Sequence, residues 1–202
     1  MSLKKIAAAL VPLFMAFAGT AFAADHPPKA ATLGEALTVL HAVSEWAGDL
    51  SSMAATKAKS DLVKEFANEV ASSNAEKDAK LQEVAKKHGI ELGPMDPATE
   101  EGKSMLDRMQ AEKTMLGSLD GDAFDKEFMT LVTNTQQSVI NVLEKQKAVQ
   151  KDPDVKKFLT DMTTAVQKRL KKAQEIMLKV SHSVRSDWAA ERLSSCPSQR
   201  RN

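Results

Sequence analysis

The chain has no tyrosine, two tryptophans and a single cysteine among its 202 residues. One cysteine, Cys196, excludes an internal disulfide, so packing alone must hold the fold even in an oxidising compartment. Its ordinary reading is a free thiol near the chain end, and an intermolecular disulfide is the sharper alternative. No C-x-x-C-H run is present, which removes covalent c-type haem. Also missing are C-x-x-C, H-E-x-x-H, the Walker loop and G-x-S-x-G. No stretch alternates apolar and polar residues with period two, so strands are not expected. An excess of one charge is lacking as well, with 28 Lys and Arg against 27 Asp and Glu.

What is present first is an address. Lys4 and Lys5 precede an apolar stretch from Ile6 to Phe17, and Ala21-Phe22-Ala23 has the A-x-A form of a cleavage site. Residues 1–23 therefore read as a cleavable secretory signal peptide. The apolar stretch is shorter than the roughly 20 residues that cross a bilayer. No cysteine stands immediately after the cut, which argues against a lipid anchor. Removal of Lys4 and Lys5 leaves 26 of the 28 basic residues against 27 acidic ones, a net charge of −1. A near-neutral chain lacks the basic excess of a nucleic-acid binder, so no nucleic-acid partner is expected.

Residues 24–31 form a polar, proline-containing leader, residues 32–188 a helical bundle domain, and residues 189–202 a tail expected to be disordered. The first helix opens on the capping box Thr32-Leu-Gly-Glu35. Leu33, Leu37, Leu40, Ala47, Leu50 and Ala54 then recur at helical spacing until about Ala58. Ser60 or Asp61 can cap a second helix carrying Val63, Phe66, Ala67, Val70, Leu81 and Val84, which Gly89 ends. With so little linker, these two helices are either one long kinked helix or a tight hairpin. Pro97 suits the first turn of a short helix, and Asp122 is placed to cap a fourth one. Asp152-Pro153 is a stop and restart, aspartate as N-cap and proline in the first turn. The expected fold is all-α, an antiparallel bundle of four main helices plus a short extra helix.

Chemistry is sparse. His26, His41, His88 and His182 include no pair at i, i+3 or i+4, so none forms a local metal pair. The methionines read as core filling rather than copper or haem ligands. Three polar residues break the apolar stripes. Asn74 lies seven residues from both Ala67 and Leu81, Gln136 four after Val132 and three before Val139, and Arg169 seven from both Met162 and Ile176. Each projects toward the interior of its own helix, where an unpaired polar group costs about 1–3 kcal/mol. Arg169 can snorkel to water from a stripe edge, or the three can form a ligand-binding polar cluster inside the bundle. Basic residues also concentrate late, eleven Lys and Arg against five Asp and Glu from Asp154 to Asn202. That helix is either a solvated face or a contact for anionic lipid or an acidic envelope polymer.

The segments Val63-Lys-Glu-Phe-Ala-Asn-Glu-Val70, Leu81-Gln-Glu-Val-Ala-Lys-Lys-His-Gly-Ile90, Phe124-Asp125, Asp152-Pro153-Asp-Val-Lys-Lys-Phe158 and Leu170-Lys-Lys-Ala-Gln-Glu-Ile176 together resemble one bacterial exported family. It is a domain-of-unknown-function family with a ferritin-like helical bundle, whose members are often labelled outer-membrane or periplasmic proteins. The resemblance covers about Thr32 to Val180. It implies a histidine in each of three helices and a glutamate in the first. Here those positions hold Asn74, Gln136, Arg169 and Ala47, so metal binding does not carry over, and no cofactor is expected. The resulting expectation is a non-enzymatic periplasmic bundle serving envelope maintenance, stress response or interaction, with outer-membrane association as a further option. The alternatives are a small-ligand or anion carrier using the polar cluster, and a metal-binding redox protein using Glu45, Asp49, Glu69 and Glu76.

Overall fold

The structure, a computed structural model, describes residues 31–194, with side-chain surroundings through Ser181. The signal peptide, all of the leader but its last residue, His26 and Cys196 lie outside the described residues. Among the described residues there are five helices and no strand. They are α1 (Leu33–Lys57), α2 (Asp61–Lys87), α3 (Glu100–Ser118), α4 (Gly121–Val149) and α5 (Pro153–Ser194). The fold is all-α, four long helices with α3 as the shorter extra one. Packing is most extensive between α1 and α2 and between α4 and α5, and α1 also packs on α4.

Several boundaries follow local chemistry. Thr32 caps α1, accepting from the Glu35 amide at 3.2 Å while its own amide donates to Glu35 Oε2 at 2.7 Å. Gly89 ends α2 with a φ of +65°, and the amides of Gly89 and Ile90 return to the carbonyls of Lys86 and Ala85. That pair of bonds is the Schellman pattern, and the left-handed residue in it favours glycine. Asp152 Oδ1 accepts from the amides of Asp154 and Val155 at 2.8 and 3.1 Å and opens α5. The Val155 amide, chief among its partners, holds the Asp152 carboxyl below its usual range.

Other boundaries depart from local signals. The first two helices form a hairpin, because Asp125 reaches from α4 and accepts the amides of Lys59 and Ser60 at 2.9 and 2.7 Å. Ser60 occupies the N-cap of α2 but makes no side-chain cap bond, and Asp125 holds the chain just ahead of the helix, at Lys59 and at Ser60 itself. Pro97 stands before α3 rather than inside it. Asp96 Oδ1 accepts from the Ala98 amide, and Thr99 Oγ1 caps the Gly102 amide at 3.1 Å, which delays the helix start. Asp122 does not cap α4. Asp120 takes that place, Gly121 adopts a φ of +59°, and Asp122 instead pairs with Lys59 at 2.8 Å. Finally, α5 runs to Ser194, through the first part of the expected tail, where Ala189, Ala190, Glu191, Arg192 and Leu193 are adequate helix formers.

Gly102 is packed so closely under Thr99 that an added Cβ would lie 2.2 Å from the Asp96 carbonyl oxygen. Gly102→Ala is expected to push the 96–99 turn aside and cost about 1–2 kcal/mol. Hydrogen exchange should accelerate in the first turns of α3 and stay unchanged in α5. Unchanged exchange in α3 would contradict the close approach.

The core has two apolar parts. One gathers Leu50, Val63, Phe66, Phe124, Phe128 and Ile176, and the other Leu37, Leu81, Leu143, Val155, Leu159 and Val166. On α2, α4 and α5 a short polar interval separates the two sets. Asn74, Gln136 and Arg169 occupy those intervals, so the polar residues form a layer across the middle of the bundle.

Candidate functional site: a cationic layer inside the bundle

Periodicity places Asn74 on α2 and Arg169 on α5 facing inward, and packing of the two helices brings them together. Arg169 Nη1 donates to Asn74 Oδ1 at 2.5 Å, and Nη2 donates to Ser73 Oγ at 2.5 Å. Arg169 is 9 % exposed and Asn74 7 %. Gln136 on α4 is 4 % exposed, and its side-chain amide has no hydrogen-bond partner among the described residues. Asn74, Gln136 and Arg169 all line one narrow cavity of about 30 Å³ between α1, α2, α4 and α5. Ala47 lines it too, so the four positions singled out by the family resemblance converge on one space.

Sequence spacing missed two members of this layer. Ser73 and Lys77 flank Asn74, and Lys77 Nζ donates to Ser73 Oγ at 2.6 Å, the same oxygen that Arg169 uses. Lys77 also lines the cavity. It lies three residues beyond Asn74, one helical turn away, and its long stem carries the ammonium inward. Two cations thus meet on one neutral hydroxyl. Burial, and then the Arg169 charge, lower the Lys77 pKa to about 8 from 10.5. Burial also lowers that of Arg169, opposed by Glu69. Between about pH 8 and 10.5 the folded chain has released the Lys77 proton while the unfolded chain still binds it, so this group adds stability as pH rises through that window.

No carboxylate pairs with Arg169 among the described residues. Glu69, the acid that acts on it through space, is already bound to Lys172 on α5. A guanidinium carries five N–H donors. One on each terminal nitrogen is engaged, and the others have no protein acceptor among the described residues. The arrangement offers directed donors and unbalanced positive charge around a small space, the chemistry of an anion site.

The carboxylates that could have replaced lost metal ligands do not converge. Asp49 pairs with Lys113 on α3 at 2.5 Å, Glu45 lies 3.8 Å from His41 Nε2, Glu69 holds Lys172, and Glu76 is exposed. They sit on outward faces of α1 and α2. Among the described residues no three His, Cys, Asp or Glu side chains could hold a metal ion. The cavity itself does not fit a metal either, because Arg169 is a fixed cation without a lone pair to give. His41 is structural, with Nδ1 2.7 Å from Asp78 Oδ1 on α2.

A second, larger space of about 270 Å³ lies under α3, between α1 and α4, with Trp46, Met105, Arg108 and Glu112 on its walls. Leu40, Val43, Thr135 and Val139 face both spaces. Trp46 Nε1 donates to the Met109 carbonyl at 3.0 Å and ties α3 to α1. Burial raises the Glu112 carboxyl above its ordinary value. No helix among the described residues is long and apolar enough to cross a membrane.

The family described as Domain of unknown function (DUF4142) matches residues 19–176 of this sequence. Among solved structures, the fold is similar to a DUF305 fragment from Deinococcus radiodurans, with a TM-score of 0.61 and 17 % identity over 75 % of this chain and 99 % of that one. It is also similar to a DUF305 protein from Streptomyces coelicolor described as a candidate secreted protein, with a TM-score of 0.60 and 12 % identity over 73 % and 93 % of the two chains. At such identities the likeness speaks to fold alone. No curated protein matches the sequence.

Proposed function

The chain belongs to the DUF4142 family, and from that premise we propose that it is an exported, non-enzymatic, ferritin-like bundle that holds a small monoanion against Arg169 in its interior. Export to the periplasm is supported by the signal pattern in residues 1–23. The anion reading is carried by one observation: a buried guanidinium with free donors and no carboxylate partner faces a cavity shared with the unpartnered amide of Gln136. A buried charge left without counter-charge is costly, and a bound anion removes that cost. The cavity of about 30 Å³ exceeds the roughly 10–15 Å³ that a single water needs, and leaves room only for a small occupant. Chloride, nitrite or formate suits it better than phosphate.

Thermal unfolding in formate tests this, at ionic strength held constant with a bulky anion. A ligand at ten times its Kd stabilises the native state by about 1.4 kcal/mol. For a chain of this size that raises Tm by about 3–6 °C. Arg169→Met should show no formate-dependent rise, whatever its starting Tm. Equal formate responses in the wild type and Arg169→Met would remove the anion site.

A further inference from the structure

Lys77 has a feature that anion binding leaves unused. Its ammonium is half-buried, bonded to Ser73 Oγ, and beside a second cation that shares the same oxygen. The charged groups acting on it from its own helix are Glu69, Glu76 and Lys80, and from α5 it is Arg169. Glu69 is committed to Lys172, and Glu76 and Lys80 are exposed. From α1 and α4 the cavity receives only neutral side chains, among them Ser44, Thr135 and Gln136. The charge conflict at Ser73 is relieved when Lys77 gives up its proton. A desolvated lysine next to another cation is a nucleophilic amine.

We propose that Lys77 Nζ combines reversibly with carbon dioxide, and that the carbamate so formed is an anion held by Arg169. The inference rests on the anion reading of the Arg169 cavity and names an occupant for it. The free amine lone pair attacks the carbon of carbon dioxide and forms an N–C bond, and one C–O π pair moves onto oxygen. The nitrogen then loses a proton to water, so amine and carbon dioxide give carbamate and one released proton, with no change of oxidation state. The product carboxylate can accept from the unused Arg169 donors and from the Gln136 amide. Two like charges on Ser73 become an opposite pair. An aldehyde would serve less well, because the protonated imine keeps the positive charge beside Arg169.

The shift of the Lys77 pKa to about 8 supports the chemistry. Near neutral pH it gives Lys77 about three hundredfold more free amine than an ordinary lysine. Carbon dioxide is also uncharged and of three heavy atoms, suited to a narrow cavity between packed helices.

The test incubates the mature protein with isotopically labelled bicarbonate, traps carbamates with a trialkyloxonium salt, and maps labelled lysines by mass spectrometry. The label should concentrate on Lys77 over exposed Lys80, and rise from about pH 7 to 9 as the amine is freed. Arg169→Met should lower it near pH 7, because the variant loses both the charge that helps free the amine and the donors that hold the carbamate. Labelling of Lys77 no greater than that of Lys80 in the wild type overturns the proposal without any variant. Lys77→Arg separates the two readings: it should lose bicarbonate-dependent stabilisation and keep the response to formate. A formate response without Lys77 labelling sinks the carbamate alone. The absence of both sinks the anion site with it.

Discussion

Replacing Asp125 by alanine should destabilise the bundle by about 4 kcal/mol, because two charge-assisted bonds worth about 1.5–3 kcal/mol each are lost together. Asp125 is 1 % exposed, and its two oxygens accept the amides of Lys59 and Ser60 at the corner between α1 and α2. Those amides stand just ahead of the first turn of α2, and the Ser60 side chain makes no cap bond that would help hold that turn. Truncation takes the carboxylate away from both donors. It also loosens a corner against which Phe124 and Phe128 stack with ring centroids 6.4 Å apart. The midpoint of thermal unfolding should fall by about 8–16 °C. Asp125→Asn should fall between the two, because one oxygen can still accept while the new NH2 group faces a donor. Formate should still stabilise Asp125→Ala if it remains folded, since the cavity residues are untouched. A loss below about 0.5 kcal/mol, the range of ordinary surface substitutions, would mean the corner holds by packing alone.

Asp125 also shows where the sequence stops being readable. The cap of α1, the end of α2 at Gly89 and the start of α5 at Asp152-Pro153 use groups within a few residues of each other, so their signals are local. The corner between α1 and α2 is closed by a carboxylate 65 residues beyond Ser60. No window on the chain could choose between a hairpin and one long helix. At α3 the local signals competed: Pro97 offered a helix start, and Thr99 with the Asp96 turn supplied a better one.

The interior layer was half legible for a similar reason. Heptad spacing within a single helix reports which way a residue faces, and it placed Asn74, Gln136 and Arg169 on interior stripes. It does not report which helices are neighbours, so the bond from Arg169 to Asn74 and the isolation of Gln136 needed the fold. Lys77 escaped because its charge sits at the end of a flexible stem, off the stripe its Cα occupies. The carboxylates Glu45, Asp49, Glu69 and Glu76 were misleading, because helical spacing alone does not show that lysines of other helices engage Asp49 and Glu69.

The double substitution Asn74→Leu with Arg169→Met should make the protein more stable while removing its response to formate. A buried ion kept for binding is not kept for stability, and exchanging such groups for apolar ones of similar volume often stabilises by about 1–4 kcal/mol. Here the exchange joins the two apolar halves of the core through Met162 and Val166, which already line the cavity. Lys77 loses the repulsion of Arg169 and keeps Ser73 as its acceptor. A gain of about 2–3 kcal/mol corresponds to a Tm rise of about 5–10 °C. The single Arg169→Met variant should gain less, since Asn74 Oδ1 is then left without its donor. The sign decides the role of the layer. If the double variant loses several kcal/mol instead, the Arg169–Asn74 contact is a strut between α2 and α5. If it gains stability and goes blind to formate, the wild type keeps an unpaired buried cation at a cost to its own fold, and a bound anion is what offsets that cost.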